Sequence, residues 1–373
     1  MRLKIGITGQ QGFIGQYLYN VLGLNPEEFE RIDFERNFFE DESKLENFVS
    51  KCDVIVHLAA MNRHNDPNVI YENNLTLVNK LINALTVTKS SPHIFFSSSS
   101  QEEKDNLYGK SKKEGRTLLA EWAKEVGGQF TGMVIPNVYG PFGNPYYNSF
   151  IATFSHQLTH DEYPKIDIDG EVKLIYVGDL VNIIRSEIRS RIGDNLLIIP
   201  HSDECKVSEI LSLLQSYQEK YFLKGTIPEL RSNFELNLFN TFRSYIDIAK
   251  HFPVKLVKHV DPRGAFVEII RLEVGGQVSF STTVPDITRG NHFHTRKIER
   301  FAVIKGKALI QLRRIGTNEV FDFYLDGNEP AYVDMPIWYT HNIKNIGEEE
   351  LYTNFWINEF FDPNDPDTYL EIV

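Results

Sequence analysis

The hydrophobic pattern changes near residue 250, and this change constrains the fold of the 373-residue chain more than any other feature. Before it, short apolar runs alternate with segments of helical spacing. After it, strand-like runs follow one another with glycine-containing turns between them. Strands that alternate with helices need crossover connections and predict a doubly wound parallel sheet, whereas many short strands predict a sandwich or barrel. We expect two domains, residues 1–248 and 253–373.

Charge and composition exclude several classes of protein. The formal net charge is −12 and no lysine or arginine block stands out, which argues against nucleic acid or an anionic membrane as a partner. The two cysteines, Cys52 and Cys205, cannot form a disulfide framework. No export signal and no apolar stretch of membrane-spanning length is visible, so we expect a cytoplasmic protein.

A glycine-rich segment lies where the first predicted strand meets the first predicted helix. Its defining residues are Thr8, Gly9, Gly12, Phe13, Ile14 and Gly15. A tight turn that brings the backbone close to a pyrophosphate needs residues without Cβ, and the following helix N-terminus supplies free N–H groups. The segment therefore predicts a dinucleotide site.

A tyrosine and a lysine one helical turn apart form a second candidate site. Tyr108 and Lys112 are spaced i and i+4 and share one helix face. The lysine charge is expected to lower the pKa of the phenol and make it a usable proton donor or acceptor. The serine run 97–100 ends the preceding strand, where hydroxyls can bind a substrate carbonyl.

Residues 1–245 resemble the extended short-chain dehydrogenase/reductase family, whose members act on nucleotide sugars. The resemblance implies a Rossmann-type domain with a catalytic triad of Ser99, Tyr108 and Lys112, Ser98 being the alternative serine. It also implies cofactor contacts from Leu58, Ala59, Ala60 and Asn74 and substrate contacts from Asn137 and Lys173. The Tyr-Val-x-Asp motif of the family matches residues 176–179. Only the eight residues 100–107 separate Ser99 from Tyr108, fewer than in most members, and Lys173 stands where many relatives carry a diphosphate-binding arginine.

The type of nicotinamide cofactor depends on the end of the second predicted strand. Asp33 can bind a ribose 2′-OH, which favours NAD, whereas Arg36 can bind a 2′-phosphate, which favours NADP. Arg63 adds positive charge after the third strand. We favour NADPH, with Arg36 as an ordinary surface residue left open.

Four residues after position 290 predict a metal site. His292 and His294 point to the same face of a strand because side chains alternate along it, and Glu299 and His341 must join them from elsewhere. Three imidazoles and a carboxylate suit Zn²⁺ and several other divalent ions.

The spacing around these residues resembles the two motifs of cupin barrels, with Trp338 in place of the usual glycine. The segments 261–268 and 289–292 also resemble nucleotide-4-keto-sugar 3,5-epimerases. That second resemblance implies that Arg263 and Arg289 bind the diphosphate, that Glu268 faces the base and that His292 is the proton acceptor. Those epimerases generally work without a metal. We favour metal ligation by His292 and leave the catalytic base that removes the C3 proton unassigned.

The order of the two domains resembles that of bifunctional enzymes of capsular polysaccharide synthesis. This implies C3 epimerisation of a UDP-4-keto-6-deoxy-N-acetylhexosamine in the second domain and NADPH-dependent reduction at C4 in the first. The implied product is UDP-2-acetamido-2,6-dideoxy-L-talose, and the implied assembly is a homodimer through the cupin domain. Two alternatives stay open: a reductase whose zinc-containing cupin is a structural dimerisation module, and a nucleotide-sugar sensor without turnover.

Overall fold

The computed structural model describes residues 2–373. By packing, the chain divides into two compact units. The first contains the residues up to Phe150 and Ile168–Val207, and the second contains Ile151–Asp167 and Ser208–Val373. None of the helices in the described chain is long and apolar enough to cross a membrane.

Helices and strands are numbered in chain order. As far as residue 217 they are β1 (Leu3–Thr8), α1 (Phe13–Gly23), β2 (Phe29–Ile32), α2 (Glu42–Val49), β3 (Val54–His57), α3 (Pro67–Thr88), β4 (His93–Ser99), α4 (Leu107–Val126), β5 (Phe130–Ile135), β6 (Asn137–Tyr139), α5 (Phe150–Thr159), β7 (Glu171–Tyr176), α6 (Val177–Ser190), β8 (Asp194–Ile198), β9 (Asp203–Lys206) and α7 (Val207–Tyr217). The remainder are α8 (Asn233–Arg243), α9 (Ile248–His251), β10 (Val254–Lys255), β11 (Lys258–Asp261), β12 (Gly264–Val267), β13 (Gln277–Thr283), β14 (Thr288–Phe293), β15 (Glu299–Lys305), β16 (Lys307–Arg314), β17 (Val320–Asp326), β18 (Ala331–Met335), β19 (Tyr339–Asn345), β20 (Leu351–Ile357) and β21 (Tyr369–Leu370).

The first unit is built on a parallel sheet. Among residues 2–373, six strands form it in the order β2-β1-β3-β4-β5-β8, every neighbouring pair parallel. All four residues of β3 are buried, as expected for a central strand covered by helices on both faces. The neighbours of β1 along the chain, β2 and β3, lie on opposite sides of it, so a crevice forms at their carboxyl ends.

The second unit is dominated by antiparallel strands. Within the described residues, two five-stranded sheets run in the orders β10-β18-β15-β20-β13 and β17-β16-β19-β14-β21. Side chains of the two sheets meet between them: the rings of Phe301 and His341 are 5.9 Å apart. Strands β11 and β12 form a hairpin of their own. The predicted combination of a Rossmann-type doubly wound sheet with an all-β C-terminal region is confirmed.

A buried ionic network joins helical and β segments of the second unit. Arg300 donates to both carboxylate oxygens of Asp334 at 2.7 and 2.9 Å, and Tyr221 donates to the same carboxylate at 2.7 Å. Arg243 donates to the Tyr221 hydroxyl at 3.1 Å and to the Met335 carbonyl at 3.1 Å. Residues 208–251 therefore pack with the C-terminal strands, while the domain boundary between 248 and 253 stays a prediction.

The strand-like sequence run 301–313 forms two strands in the structure. Strands β15 and β16 are separated by Gly306, whose φ of +84° is a left-handed conformation that favours glycine and turns the chain. In the strand-like sequence run 265–272, the strand ends at Val267.

Candidate functional site

The glycine-rich segment forms a tight turn at the carboxyl end of β1. Gly9 has φ of +76°, and a Cβ there would lie 2.8 Å from the Ala59 nitrogen. A Cβ on Gly15 would lie 2.2 Å from the Gly9 carbonyl oxygen, so this position excludes any side chain. Helix α1 begins after Gly12 without a side-chain cap. The turn thus exposes a helix N-terminus suited to an anionic group.

Neighbouring segments of the sheet hold the rest of the predicted cofactor site together. Leu58 N–H donates to the Thr8 carbonyl at 3.1 Å, and Asn74 exchanges hydrogen bonds with the Met61 backbone at 2.7 and 3.0 Å. Asn74 also donates to the Ser111 hydroxyl on α4 at 3.0 Å. The buried Asn74 therefore ties the segment after Ala60 to the helix that carries the tyrosine–lysine pair.

The acidic and basic residues after β2 are exposed. Asp33 accepts a hydrogen bond from the Tyr19 hydroxyl at 2.7 Å, and Arg36 begins a short 3₁₀ turn on the surface. Arg63 donates to the backbone carbonyls of Tyr146 and Tyr147. The Arg63 guanidinium is thus occupied by main-chain oxygens, whereas Arg36, three residues after Asp33, is exposed.

Tyr108 lies in the first turn of α4, whose start is fixed by the Asn106 side chain accepting from the Gly109 N–H at 2.7 Å. The Ser99 hydroxyl is hydrogen-bonded to the Tyr108 phenol. Lys112 is buried and donates to the Ser97 carbonyl at 2.7 Å. The three predicted triad residues are therefore brought together at the carboxyl end of β4.

The expected lowering of the Tyr108 pKa is wrong for this structure. Burial raises the pKa of Tyr108 to about 12, despite the opposing hydrogen bond from Ser99. Burial also lowers the pKa of Lys112 to about 8, because a desolvated ammonium is disfavoured. The Lys112 ammonium lies 5.9 Å from the phenol ring centroid and bonds a carbonyl instead. Tyr108 is consequently protonated at neutral pH, the form that a proton donor needs.

Sequence reasoning missed the network behind the serine. Ser98, the alternative triad residue, donates to the buried Glu102. Glu102 in turn accepts two hydrogen bonds from Arg116 at 3.0 and 2.9 Å. Ser98 therefore faces away from Tyr108, and Ser99 is the serine beside the phenol. A carboxylate two residues beyond the serine run was the available signal.

Asn137 and Lys173 lie on neighbouring parallel strands, β6 and β7. The Asn137 side chain donates to the Lys173 carbonyl at 3.1 Å, and both residues are exposed. Their side chains are thus available on one surface of the first unit.

In the second unit, the four predicted metal ligands converge. One ligand atom from each of His292, His294, Glu299 and His341 lies within 4.8 Å of the others. The Nε2 atoms of His294 and His341 are 3.2 and 3.1 Å from Glu299 Oε2. All three of these atoms are buried, and none of them has a partner with hydrogen-bond geometry among the described residues. Converging lone pairs of this kind fit a divalent cation.

Backbone carbonyls set the tautomers of two of these imidazoles, His294 and His341. His294 Nδ1 contacts the Asp367 carbonyl and His341 Nδ1 contacts the Tyr339 carbonyl at 3.2 Å. A carbonyl only accepts, so each Nδ1 carries the proton and each Nε2 keeps its lone pair. Burial, with its two neighbouring imidazoles, lowers the pKa of His292 to about 4, which keeps that ring neutral as a ligand must be.

The residues predicted to bind a sugar nucleotide near the metal site lie on two different segments. Arg263 and Glu268 are exposed on and just after the β11–β12 hairpin, paired with Asp261 and Arg271. The described residues show no polar contact between either of them and the four ligands. Arg289 lies on β14, the strand of His292, and donates to Thr283 Oγ1 at 3.0 Å.

Comparisons with known proteins agree with this architecture. A parallel sheet with a glycine turn and a serine–tyrosine–lysine cluster defines a class of nucleotide-dependent enzymes. The family model described as NAD dependent epimerase/dehydratase family matches residues 5–191, and the Polysaccharide biosynthesis C-terminal domain matches residues 259–369. The chain belongs to the NAD dependent epimerase/dehydratase family.

Two relatives match almost the whole chain. A Pseudomonas aeruginosa protein named UDP-2-acetamido-2,6-beta-L-arabino-hexul-4-ose reductase is 31% identical over 98% of both chains. The crystal structure of the capsular polysaccharide assembling protein CapF from Staphylococcus aureus is 36% identical, covers 100% of both chains and has a TM-score of 0.64. The spore coat polysaccharide biosynthesis protein SpsL of Bacillus subtilis is 27% identical over 30% of this chain and 82% of its own. These matches confirm the resemblance to bifunctional enzymes of capsular polysaccharide synthesis.

Proposed function

We propose that the chain is a bifunctional UDP-sugar enzyme. It inverts C3 of a UDP-4-keto-6-deoxy-N-acetylhexosamine in a cupin domain and reduces the C4 ketone in the Rossmann-type domain, giving UDP-2-acetamido-2,6-dideoxy-L-talose. The observation that carries the proposal is the Ser99–Tyr108–Lys112 cluster at the carboxyl end of β4, on the same sheet as the glycine turn after β1, in a chain that also has four converging candidate metal ligands. The full-length likeness to a protein named a UDP-hexulose reductase supports the substrate class.

In the reductive step, NADPH would supply a hydride to C4. The N-terminal end of α1 and the turn at Gly9 would hold its pyrophosphate, and exposed Arg36 would meet a 2′-phosphate. Ser99 would bind the C4 carbonyl oxygen, which Tyr108 protonates as the hydride arrives. Buried Lys112, held by the Ser97 carbonyl, would place a positive charge near the developing alkoxide. Asn137 and Lys173 would contact the sugar nucleotide.

In the epimerisation step, the C4 ketone acidifies the C3 proton because an enolate delocalises the charge. A zinc ion held by His292, His294, Glu299 and His341 would act as a Lewis acid that stabilises this charge. Arg263, Glu268 and Arg289 would bind the nucleotide diphosphate and base. Reprotonation of C3 from the opposite face inverts the centre, and reduction of the same ketone then traps the product.

A homodimer through the cupin domain is part of the proposal. The β11–β12 hairpin, which carries Arg263, pairs only with itself among the described strands, and its Val260 and Phe266 are 72% and 69% exposed. Exposed apolar side chains on such a hairpin suit burial against a second copy. Light scattering should give a dimer mass for the wild type and a monomer mass for Phe266→Asp.

Deuterium labelling tests the proposal. Full-length protein is incubated in deuterated water with the UDP-4-keto sugar, with and without NADPH, and the products are examined by NMR. Without NADPH, C3 should exchange its proton for deuterium, in wild type and in Tyr108→Phe but not in His292→Ala. A 4-hydroxy sugar, which lacks the ketone, is the control and should show no exchange.

The outcome separates the candidate functions. If reduction occurs without deuterium at C3, the result supports a 4-keto reductase with a structural zinc cupin. If neither reduction nor exchange occurs, the result supports a nucleotide-sugar sensor. The intact Tyr108–Lys112 pair favours turnover over sensing.

A further inference from the structure

The segment that links two of the predicted metal ligands is held by one carboxylate near the C-terminus. Asp367 is buried and accepts from the backbone N–H groups of Thr295 at 3.1 Å, Arg296 at 3.0 Å and Lys297 at 3.1 Å. It also accepts from the Thr295 hydroxyl at 2.6 Å. Three consecutive N–H groups around one carboxylate fix the path of the segment, because charge-assisted hydrogen bonds are stronger than neutral ones.

The same residue also contacts a ligand directly. The carbonyl oxygen of Asp367 accepts from Nδ1 of His294, which leaves the lone pair of His294 Nε2 available for an ion at a point 3.2 Å from Glu299 Oε2. Asp367 thus sets the path of the chain through its carboxylate and the tautomer of the ring through its carbonyl. Partners of this kind orient metal ligands and raise their affinity for the ion.

Neighbouring contacts hold Asp367 in place. Its φ of +41° is a left-handed conformation that a non-glycine residue adopts only where its surroundings impose it. Two residues on, Tyr369 pairs with Phe293 on β14, and the two rings stack 5.3 Å apart. Phe293 also stacks on Trp338, whose backbone N–H donates to the His294 carbonyl at 2.7 Å.

We propose that Asp367 is a positioning residue of the metal centre: its carboxylate and carbonyl hold the 294–299 segment and the His294 ring in the geometry that binds the ion. The proposal rests on the metal site of the proposed function. It assigns a role to a residue that lies 72 positions beyond the segment it holds.

The test uses full-length protein and two isosteric variants. In Asp367→Asn, one accepting oxygen becomes an NH₂ group that faces N–H donors. Asp362→Asn is the matched control, since Asp362 lies exposed in the same C-terminal segment and caps only the Asn364 N–H. Zinc affinity is measured by chelator competition, and cobalt-substituted protein gives a visible spectrum that reports ligand geometry. Asp367→Asn should weaken zinc binding about 10–100-fold and change the cobalt spectrum, as loss of an outer partner does; the control should do neither.

A second pair keeps the test valid where Asp367→Asn does not fold. Thr295→Ala removes only the 2.6 Å hydroxyl bond and should weaken zinc binding several-fold, whereas Thr295→Ser keeps the donor and should restore it. Hydrogen exchange at residues 295–297 in metal-free protein should be faster in Asp367→Asn than in the control. Unchanged affinity, spectrum and exchange in Asp367→Asn would overturn the role of Asp367. If the wild-type protein binds neither zinc nor cobalt, the result would instead contradict the prediction of a metal site.

Discussion

At the scale of single residues, burial decides the protonation states of Tyr108 and Lys112. Lys112 is buried, and Tyr108 is half-buried beside it. Desolvation disfavours the charged form of each group, so their pKa values shift in opposite directions, to about 8 and about 12. The structure therefore presents a neutral phenol and an ammonium that is easily deprotonated.

Tyr108→Phe should abolish reduction while cofactor binding is retained. The change removes only the proton donor, and loss of general acid catalysis costs about 10²–10⁴-fold. NADPH oxidation measures turnover, and cofactor fluorescence measures binding. Tyr71→Phe, which removes an exposed hydroxyl bonded to Glu114, is the control. Near-wild-type turnover in Tyr108→Phe would remove this residue from the mechanism.

Reduction should weaken as the pH rises above about 8. The Lys112 ammonium, whose pKa is lowered to about 8 by burial, loses its proton in this range, while the Tyr108 phenol stays protonated up to about 12. The expected result is an alkaline limb in kcat/KM, which reports groups of the free enzyme. Lys113→Met, an exposed neighbour, should keep the wild-type profile. A profile flat to pH 10 would contradict the assignment.

At the scale of elements, neighbouring strands bring together residues that lie far apart in the sequence. The carboxylate of Asp334 on β18 and the guanidinium of Arg300 on β15 are both about 1% exposed and form a two-bond ion pair. Burial alone would raise the pKa of Asp334, but Arg300 outweighs it and lowers the value. Glu299, a predicted metal ligand, precedes Arg300 on the same strand and points to its opposite face.

Asp334→Asn should destabilise the second unit by about 3–5 kcal/mol, the usual effect of leaving one buried charge unpaired. Denaturant unfolding measures the change. Tyr221→Phe, which removes one neutral donor to the same carboxylate, should cost only about 1–3 kcal/mol. Because the folded pKa of Asp334 is depressed, this stability is present above the unfolded pKa of an aspartate, about 3.9, and is lost as the pH falls through the folded value. Equal stability of Asp334→Asn and wild type would contradict the role of the pair.

At the scale of the whole molecule, the compact units do not follow the chain in order. Residues Ile151–Asp167 and the helices after Ser208 pack with the C-terminal strands. Arg243 on α8 reaches the Met335 carbonyl, and Arg300 reaches the Gly225 carbonyl at 2.7 Å. The second unit is therefore a β domain with a helical segment packed into its ionic network.

Two C-terminal fragments should differ in stability. A fragment 253–373 should be β-rich, yet it lacks Tyr221 and Arg243, which bond Asp334 and its neighbour in the full chain. A fragment 208–373 keeps them and should unfold at a higher denaturant concentration. Circular dichroism during urea unfolding measures both midpoints. Equal midpoints would support a boundary between residues 248 and 253.

The sequence by itself determined the features that depend on neighbours along the chain. The turn at Gly9–Gly15, the shared helix face of Tyr108 and Lys112 and the shared strand face of His292 and His294 all follow from local backbone geometry. The split of the strand-like run 301–313 was not predicted, although Gly306, which turns the chain there, was the available signal. The alternation of strands and helices was sufficient to predict the parallel sheet, because few topologies satisfy it.

Only the tertiary structure decided the rest. The pKa values of Tyr108 and Lys112 depend on how much water the packed segments exclude, which no local pattern encodes. Asp367 is one of several aspartates in its segment, and nothing in their spacing singles it out. Its partners lie 70 to 73 positions away, as the partner of Arg300 lies 34 positions away. Such pairs form because the fold brings distant segments together. Their contribution to stability therefore depends on tertiary packing, which the local sequence does not specify.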